Sequence, residues 1–233
     1  KRWYIRTIIP LSSILFGEDN NWVGITKNKK KMIKDFLIIN CTGKNDMIAL
    51  KKNNKFFFKK LQTNIIKYEA LSLIILDFIK ENNVEIDEKF SILVNSGPGS
   101  FSGIRIALAV TKGIQLVKKL NIFSYSTFTL NAAPQLKKKI KIISIIKTNN
   151  FYYFSEGNII KNYNFTLPKK LDSSYLKINS SLVVVPEEIK NDDIINNIDK
   201  KKVYIAEFNL KNVDILIENK LLENKLIKPI YLS

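Results

Sequence analysis

Gly97-Pro98-Gly99-Ser100-Phe101-Ser102-Gly103-Ile104-Arg105 lies between two segments of different periodicity. Phe90 to Val94 is an unbroken apolar run closed by Asn95 and Ser96, the pattern of a buried strand, and Ile106 to Leu120 reads as a helix. The stretch is therefore a glycine-rich strand-to-helix turn. Pro98 fixes one φ, while Gly97 and Gly99 permit positive φ and a close approach of another backbone. Ser100 or Ser102 can cap the helix by accepting from its free N–H groups. Bare amides at a helix start also make an anion site, so the turn has the form of a phosphate loop.

Two nucleotide motifs are excluded at this turn. No Gly-Lys-Ser/Thr follows, so it is not a Walker loop. The glycines run G-x-G-x-x-x-G, one residue off the dinucleotide fingerprint, and no carboxylate lies between Glu88 and Glu156 to bind a ribose. The same gap in acidic residues has a second meaning. Residues 89–155 carry ten Lys or Arg and no Asp or Glu, within a chain of formal net charge +17. That asymmetry suits a polyanion such as RNA. A solvated face in a chain rich in Lys and Asn accounts for it equally well.

The side chains available also limit the chemistry. The chain has no histidine, which removes imidazole bases, imidazole metal ligands and every histidine triad. Cys41 is the one cysteine, so neither a disulfide nor a cysteine cluster forms within the chain, and a reducing cytoplasm is the expected setting. Cys41 lies in an apolar run and reads as a small buried residue.

Residues 1–31 differ in character from the rest of the chain. They carry seven basic and two acidic residues around an apolar patch from Thr7 to Phe16, too short for a membrane span. They are expected to be an extension, with Met32 near the start of the working chain. From there the elements alternate. Strands are expected at Phe36–Ile39, Met47–Leu50 and Lys55–Phe58, forming an antiparallel meander. Further strands are expected at Ile122–Tyr125, Ile142–Ile146, Phe151–Phe154, Leu182–Val185 and Val203–Phe208. Ser126-Thr127-Phe128 opens a short helix that Pro134 ends, and a last helix is expected from Val213 to Leu222.

Two helices have more apolar surface than one sheet can cover. Over residues 65–80 the polar positions scatter at 100° per residue, leaving most of the surface apolar. In the helix after the glycine turn the polar residues fall within an arc of about 140°, and Gly103, Ala107, Ala109 and Gly113 let a neighbour approach closely. Either the pair is sandwiched inside one monomer, or it forms a platform for a partner.

The order of elements, with a glycine turn in the first half and a second strand-rich half, suggests an α/β chain of the actin/Hsp70-like (ASKHA) fold. Two lobes of mixed β-sheet with flanking helices are expected, at 32–120 and 121–233. GPGSFSGIRIALAVTKG, from Gly97 to Gly113, closely resembles the signature of the TsaB (YeaZ) family of bacterial tRNA-modification proteins. Ser102 stands where threonine is usual and keeps the hydroxyl. IINCTGKNDMIAL resembles the family's first hairpin, with Asn40 in place of an aspartate. The hairpin from Ile142 to Phe154 and the tail KPIYLS resemble later landmarks.

The resemblance implies a non-catalytic scaffold. In that family the chain supports its paralogue TsaD, with the ATPase TsaE, in N6-threonylcarbamoylation of adenosine 37 of ANN-decoding tRNAs. It implies no catalytic residue, no metal site and no required cofactor in this chain. ATP, Mg and a bound metal are expected on the partner subunits. A heterodimer with a TsaD homologue is expected through the helices at 65–80 and 101–119, with Tyr68, Leu71, Ile75, Phe78, Ile104, Ala107, Leu108 and Thr111 at the interface. Glutamate at Ala107 or Ala109 is then expected to weaken the complex without unfolding the lobe. tRNA is met indirectly or through a basic face, and no membrane is involved. The competing readings are a nucleotide-hydrolysing or peptidase-like enzyme of the same fold, and a plain RNA-binding module.

Overall fold

The first strand is buried on both sides. In a computed structural model, which describes residues 33–43, 46–61, 70–138, 140–148, 150–158, 164–172, 175, 181–207, 209, 211–224 and 227–232, every residue of β1 (Phe36–Asn40) is buried. Such a strand has cover on both faces of its sheet. Phe36 and Ile38 face one apolar core and Leu37 and Ile39 the other. The expected 1–31 extension and the first part of the helix expected over 65–80 lie outside the described residues.

β1 pairs antiparallel with β2 (Met47–Lys52), which pairs antiparallel with β3 (Lys55–Lys60). On its other side β1 pairs in parallel with β4 (Ser91–Asn95), and β4 in parallel with β5 (Asn121–Tyr125). The order is β3-β2-β1-β4-β5. Two helices cover one face. They are α1 (Leu71–Glu81) and α2 (Phe101–Lys118), and they bury Leu71, Ile75, Phe78, Ile104, Ala107 and Leu108 against it.

The second sheet repeats this plan. β6 (Lys141–Thr148) and β7 (Phe151–Asn158) form an antiparallel hairpin. β8 (Asn164–Phe165) and β9 (Lys169–Lys170) add antiparallel to β7. β10 (Leu182–Pro186) pairs in parallel with β6, and β11 (Val203–Ala206) with β10. The path β8-β7-β6-β10-β11 has the order and senses of the first sheet. Two mixed sheets with flanking helices are the architecture expected from the order of elements.

One core holds residues of both sheets. Phe36, Ile38, Ala49 and Leu93 from the first meet Ile142, Val184 and Ala206 from the second. α3 (Thr127–Ala132) and α5 (Asn212–Glu218) contribute Leu130, Val213 and Leu216. Ser126 begins α3 with a reciprocal cap: its hydroxyl accepts from Thr129 N, and Thr129 Oγ1 accepts from Ser126 N, each at 3.1 Å. The α-helix ends at Ala132 and continues as a 3₁₀ turn, Ala133–Lys138, through Pro134. The far face of the second sheet is closed by Ile189 and, from α4 (Asp193–Asn196), Ile195. The chain's last segment returns to the first sheet, where Ser124 and Glu223 exchange backbone hydrogen bonds and Ile230 N donates to Ser96 O.

Candidate functional site

The glycine turn sits where the sequence puts it, between β4 and α2, and it is packed against the β1–β2 turn. The Gly97–Pro98 bond is cis, and Gly97 holds a φ of +105°. The positive φ disfavours a side chain, and a Cβ on Gly97 would also stand 3.0 Å from the backbone oxygen of Ile230, so conformation first and space second favour glycine there. Gly99 lies on Thr42, and Ser100 N donates to Thr42 O at 2.7 Å. Ser100 caps α2 by accepting from Gly103 N at 3.3 Å.

Behind the turn is a buried polar cluster. Asn40 and Asn95 are 0 % and 1 % exposed. Asn95 Nδ2 donates to Asn40 Oδ1 at 2.8 Å, and Thr42 Oγ1 donates to the same oxygen at 3.2 Å. Asn95 Oδ1 accepts from Gly97 N at 2.9 Å. Thr127 Oγ1 donates to Pro98 O at 2.9 Å, and Thr127 N to Gly97 O at 2.8 Å. A phosphate at this turn would need free amides. Those of Gly97, Ser100 and Gly103 already donate within the chain. These hydrogen bonds lock the two turns together. Asn95, Thr127 and Thr42 are invisible as a group in the sequence, because the end of β4, the start of α3 and the turn after β1 supply them.

Phe101 begins α2 half-exposed. Its ring stacks on Tyr231 at 5.1 Å between centroids, and the Arg105 guanidinium lies 5.1 Å from the Phe101 centroid. Ser102 and Arg105 are exposed on the helix, while Gly103 is buried. Cys41 is buried, and burial, aided by the Asp46 carboxylate, pushes its thiol pKa far above the ordinary value, so it stays a neutral thiol. On the second sheet, Lys147 and Tyr152 both converge on Asp192 Oδ2, at 2.9 and 2.6 Å. Hydrogen bonding to Asp192 raises the Lys147 pKa, and burial raises that of Tyr152.

The interface residues expected from the sequence need correction. Tyr68 lies outside the described residues. Leu71, Ile75, Phe78, Ile104, Ala107, Leu108 and Thr111 are at most 6 % exposed and pack inside the chain. They are the stripe that each helix lays on its own sheet. With apolar residues on most sides of both helices, the pattern cannot tell the inward stripe from the outward one. The outward face carries other residues. Leu73 and Leu76 on α1 are 63 % and 59 % exposed, and Leu116 and Val117 on α2 are 81 % and 79 % exposed. On α2, Ile106, Ala109, Val110, Gly113 and Val117 recur at spacings of three and four along an exposed or half-buried stripe. Among the described residues no helix is long and apolar enough to cross a membrane.

No family model matches the chain. It is 29 % identical over 205 residues to the tRNA threonylcarbamoyladenosine biosynthesis protein TsaB of Buchnera aphidicola subsp. Baizongia pistaciae, over 79 % of this chain and 90 % of that protein. It is also 28 % identical over 232 residues to ribonuclease E of Buchnera aphidicola subsp. Schizaphis graminum, over 89 % of this chain but 22 % of that protein. Among solved structures, YeaZ from Pseudomonas aeruginosa superposes with a TM-score of 0.62 at 14 % identity, over 86 % of this chain and all of that one. A second Pseudomonas aeruginosa structure, described as similar to peptidase YeaZ, superposes with a TM-score of 0.61 at 12 % identity over the same share. The fold is therefore the actin/Hsp70-like one that the order of elements suggests.

Proposed function

Since the chain is similar in sequence to a TsaB protein and in fold to YeaZ, we propose that it belongs to the TsaB (YeaZ) family and acts in tRNA threonylcarbamoyladenosine biosynthesis as a non-catalytic scaffold. Its partner is a TsaD homologue, which carries out N6-threonylcarbamoylation of adenosine 37, with a TsaE homologue as the associated ATPase. ATP, Mg and any metal act on those subunits. The setting is the cytoplasm, where tRNA is met through the partner or through the Lys-rich region 89–155.

One observation carries this reading: Leu73, Leu76, Leu116 and Val117 lie open to solvent on two helices that pack against each other. Scattered exposed apolar residues need no explanation, but four large ones on one helix pair do. Covering each would contribute about 1.5–3 kcal/mol. The polar cluster agrees with a structural role. Asn40 is a neutral amide, poor as a ligand for a hard cation, and its oxygen already accepts two hydrogen bonds.

Reconstitution tests the proposal. The TsaD homologue is assayed for modified tRNA with and without this chain, and the chain raises the yield. A TsaD homologue that works equally well alone and fails to co-purify with the chain would refute the scaffold role. Turnover of ATP by the isolated chain would favour the enzymatic alternative.

A further inference from the structure

Phe101, Arg105 and Lys112 lie on α2, and Lys119 is its C-cap. At about 100° per residue these four positions fall within an arc of about 40°, so they form one stripe about 27 Å long. All four are exposed. The stripe holds no carboxylate, because no Asp or Glu occurs between Glu88 and Glu156. Among the described residues, none of its three cations has an ion-pair partner. Their charge is therefore available to a polyanion.

The head of the stripe is aromatic. Phe101 and Tyr231 pack ring on ring, yet each leaves about half of its surface in water, and the Arg105 guanidinium lies beside Phe101. Charge alone would suit any polyanion. Open ring faces at the end of a line of cations suit a single strand, whose phosphates follow the cations and whose bases stack on the rings. A duplex keeps its bases stacked on one another and offers the rings nothing. We propose that this stripe binds a single-stranded segment of RNA. One base stacks on the Phe101–Tyr231 pair, and Arg105, Lys112 and Lys119 each meet a phosphate. The proposal deepens the reading above, in which tRNA is met through region 89–155, and rests on it for the choice of RNA.

Fluorescence anisotropy on the full chain tests it, with a labelled oligouridylate of about twelve nucleotides as the probe. The probe binds saturably. The logarithm of the binding constant falls against the logarithm of salt concentration with a slope of about −2, from three phosphate contacts on a single strand. Lys112→Gln and Lys119→Gln each weaken binding and make the slope shallower by about 0.7. Phe101→Leu and Tyr231→Leu weaken binding by at least about fivefold and leave the slope unchanged, because they remove stacking and no charge. Either carries the stacking test if the other fails to fold. Lys201→Gln, at an exposed lysine in the turn before β11, binds as the parent does. Inorganic polyphosphate at equal charge displaces the probe poorly. No saturable binding at about 50 mM salt would overturn the proposal. So would leucine variants that bind as the parent does, an equal loss in Lys201→Gln, or equal displacement by polyphosphate, since each marks diffuse charge. The partner is absent from this experiment, so its failure leaves the scaffold role standing, and a failed reconstitution leaves this result unchanged.

Discussion

A Cβ built on Gly99 would stand 2.3 Å from the carbonyl oxygen of Thr42 and 2.6 Å from its Cβ. The glycine turn and the first hairpin turn are thus in backbone contact, held there by Ser100 N donating to Thr42 O. Contacts this short leave no space for a methyl group, and one of the atoms met is backbone. Gly99→Ala must separate the two turns, and the expected loss is about 1–3 kcal/mol of stability. Gly113 is the control. It is exposed within α2, and nothing lies within 4 Å of its added Cβ. Gly113→Ala is expected to stabilise by about 0.5–1 kcal/mol. Urea unfolding of both variants measures the contrast.

The asparagine pair behind that contact gives a second expectation. Asn95 bridges Asn40, Gly97 N and Thr127. Asn95→Ala leaves Asn40 Oδ1 and Gly97 N short of a partner in a buried place. The expected loss is about 1–3 kcal/mol, read as a lower denaturation midpoint with an unchanged slope.

The local elements were legible in the sequence because their signals are local. The apolar run before Asn95, the two glycines around Pro98 and the serine cap mark the strand, turn and helix start within a dozen residues. Two things were not legible. The repeat of the first sheet's order in the second rests on parallel pairing of β6 with β10, whose paired residues Ile142 and Leu182 are far apart in the chain. The facing of α1 and α2 was lost for a different reason. Ile104 and Ile106 are chemically alike, yet one is buried and the other half-exposed, and only the position of the sheet decides which.

That facing sets the mutations that test the proposed partner surface. Leu73→Glu and Val117→Glu place charges on exposed positions, so stability should change by no more than about 0.5 kcal/mol. Association with the TsaD homologue should weaken by at least about tenfold. Ala109→Glu, also exposed, belongs to this group. Ala107→Glu does not, contrary to the expectation from sequence. Ala107 is 0 % exposed, and a carboxylate there is buried without a counter-charge. It should unfold the first lobe. Thermal melts and analytical gel filtration separate the two behaviours, and a folded Ala107→Glu chain that merely dissociates would count against this assignment of faces.

Glu156 sets a dependence on pH. Partial burial opposes its ionisation, but hydrogen bonds from the Tyr175 hydroxyl and the Lys141 ammonium outweigh that cost, together with the charges of Lys141 and Lys169. Its pKa in the folded chain therefore lies below the ordinary glutamate value. A carboxylate with a lowered folded pKa binds protons more readily when unfolded, so its contribution is complete above the unfolded value of about 4.3. The contribution is lost as pH falls through the folded value. Glu156→Gln removes the titration and the ion pair to Lys141. The stability gap between parent and variant should be widest near neutrality and should narrow below about pH 4. Urea titrations across that range measure it. A gap that stays constant with pH would show that the Tyr175 and Lys141 contacts do not favour the ionised form.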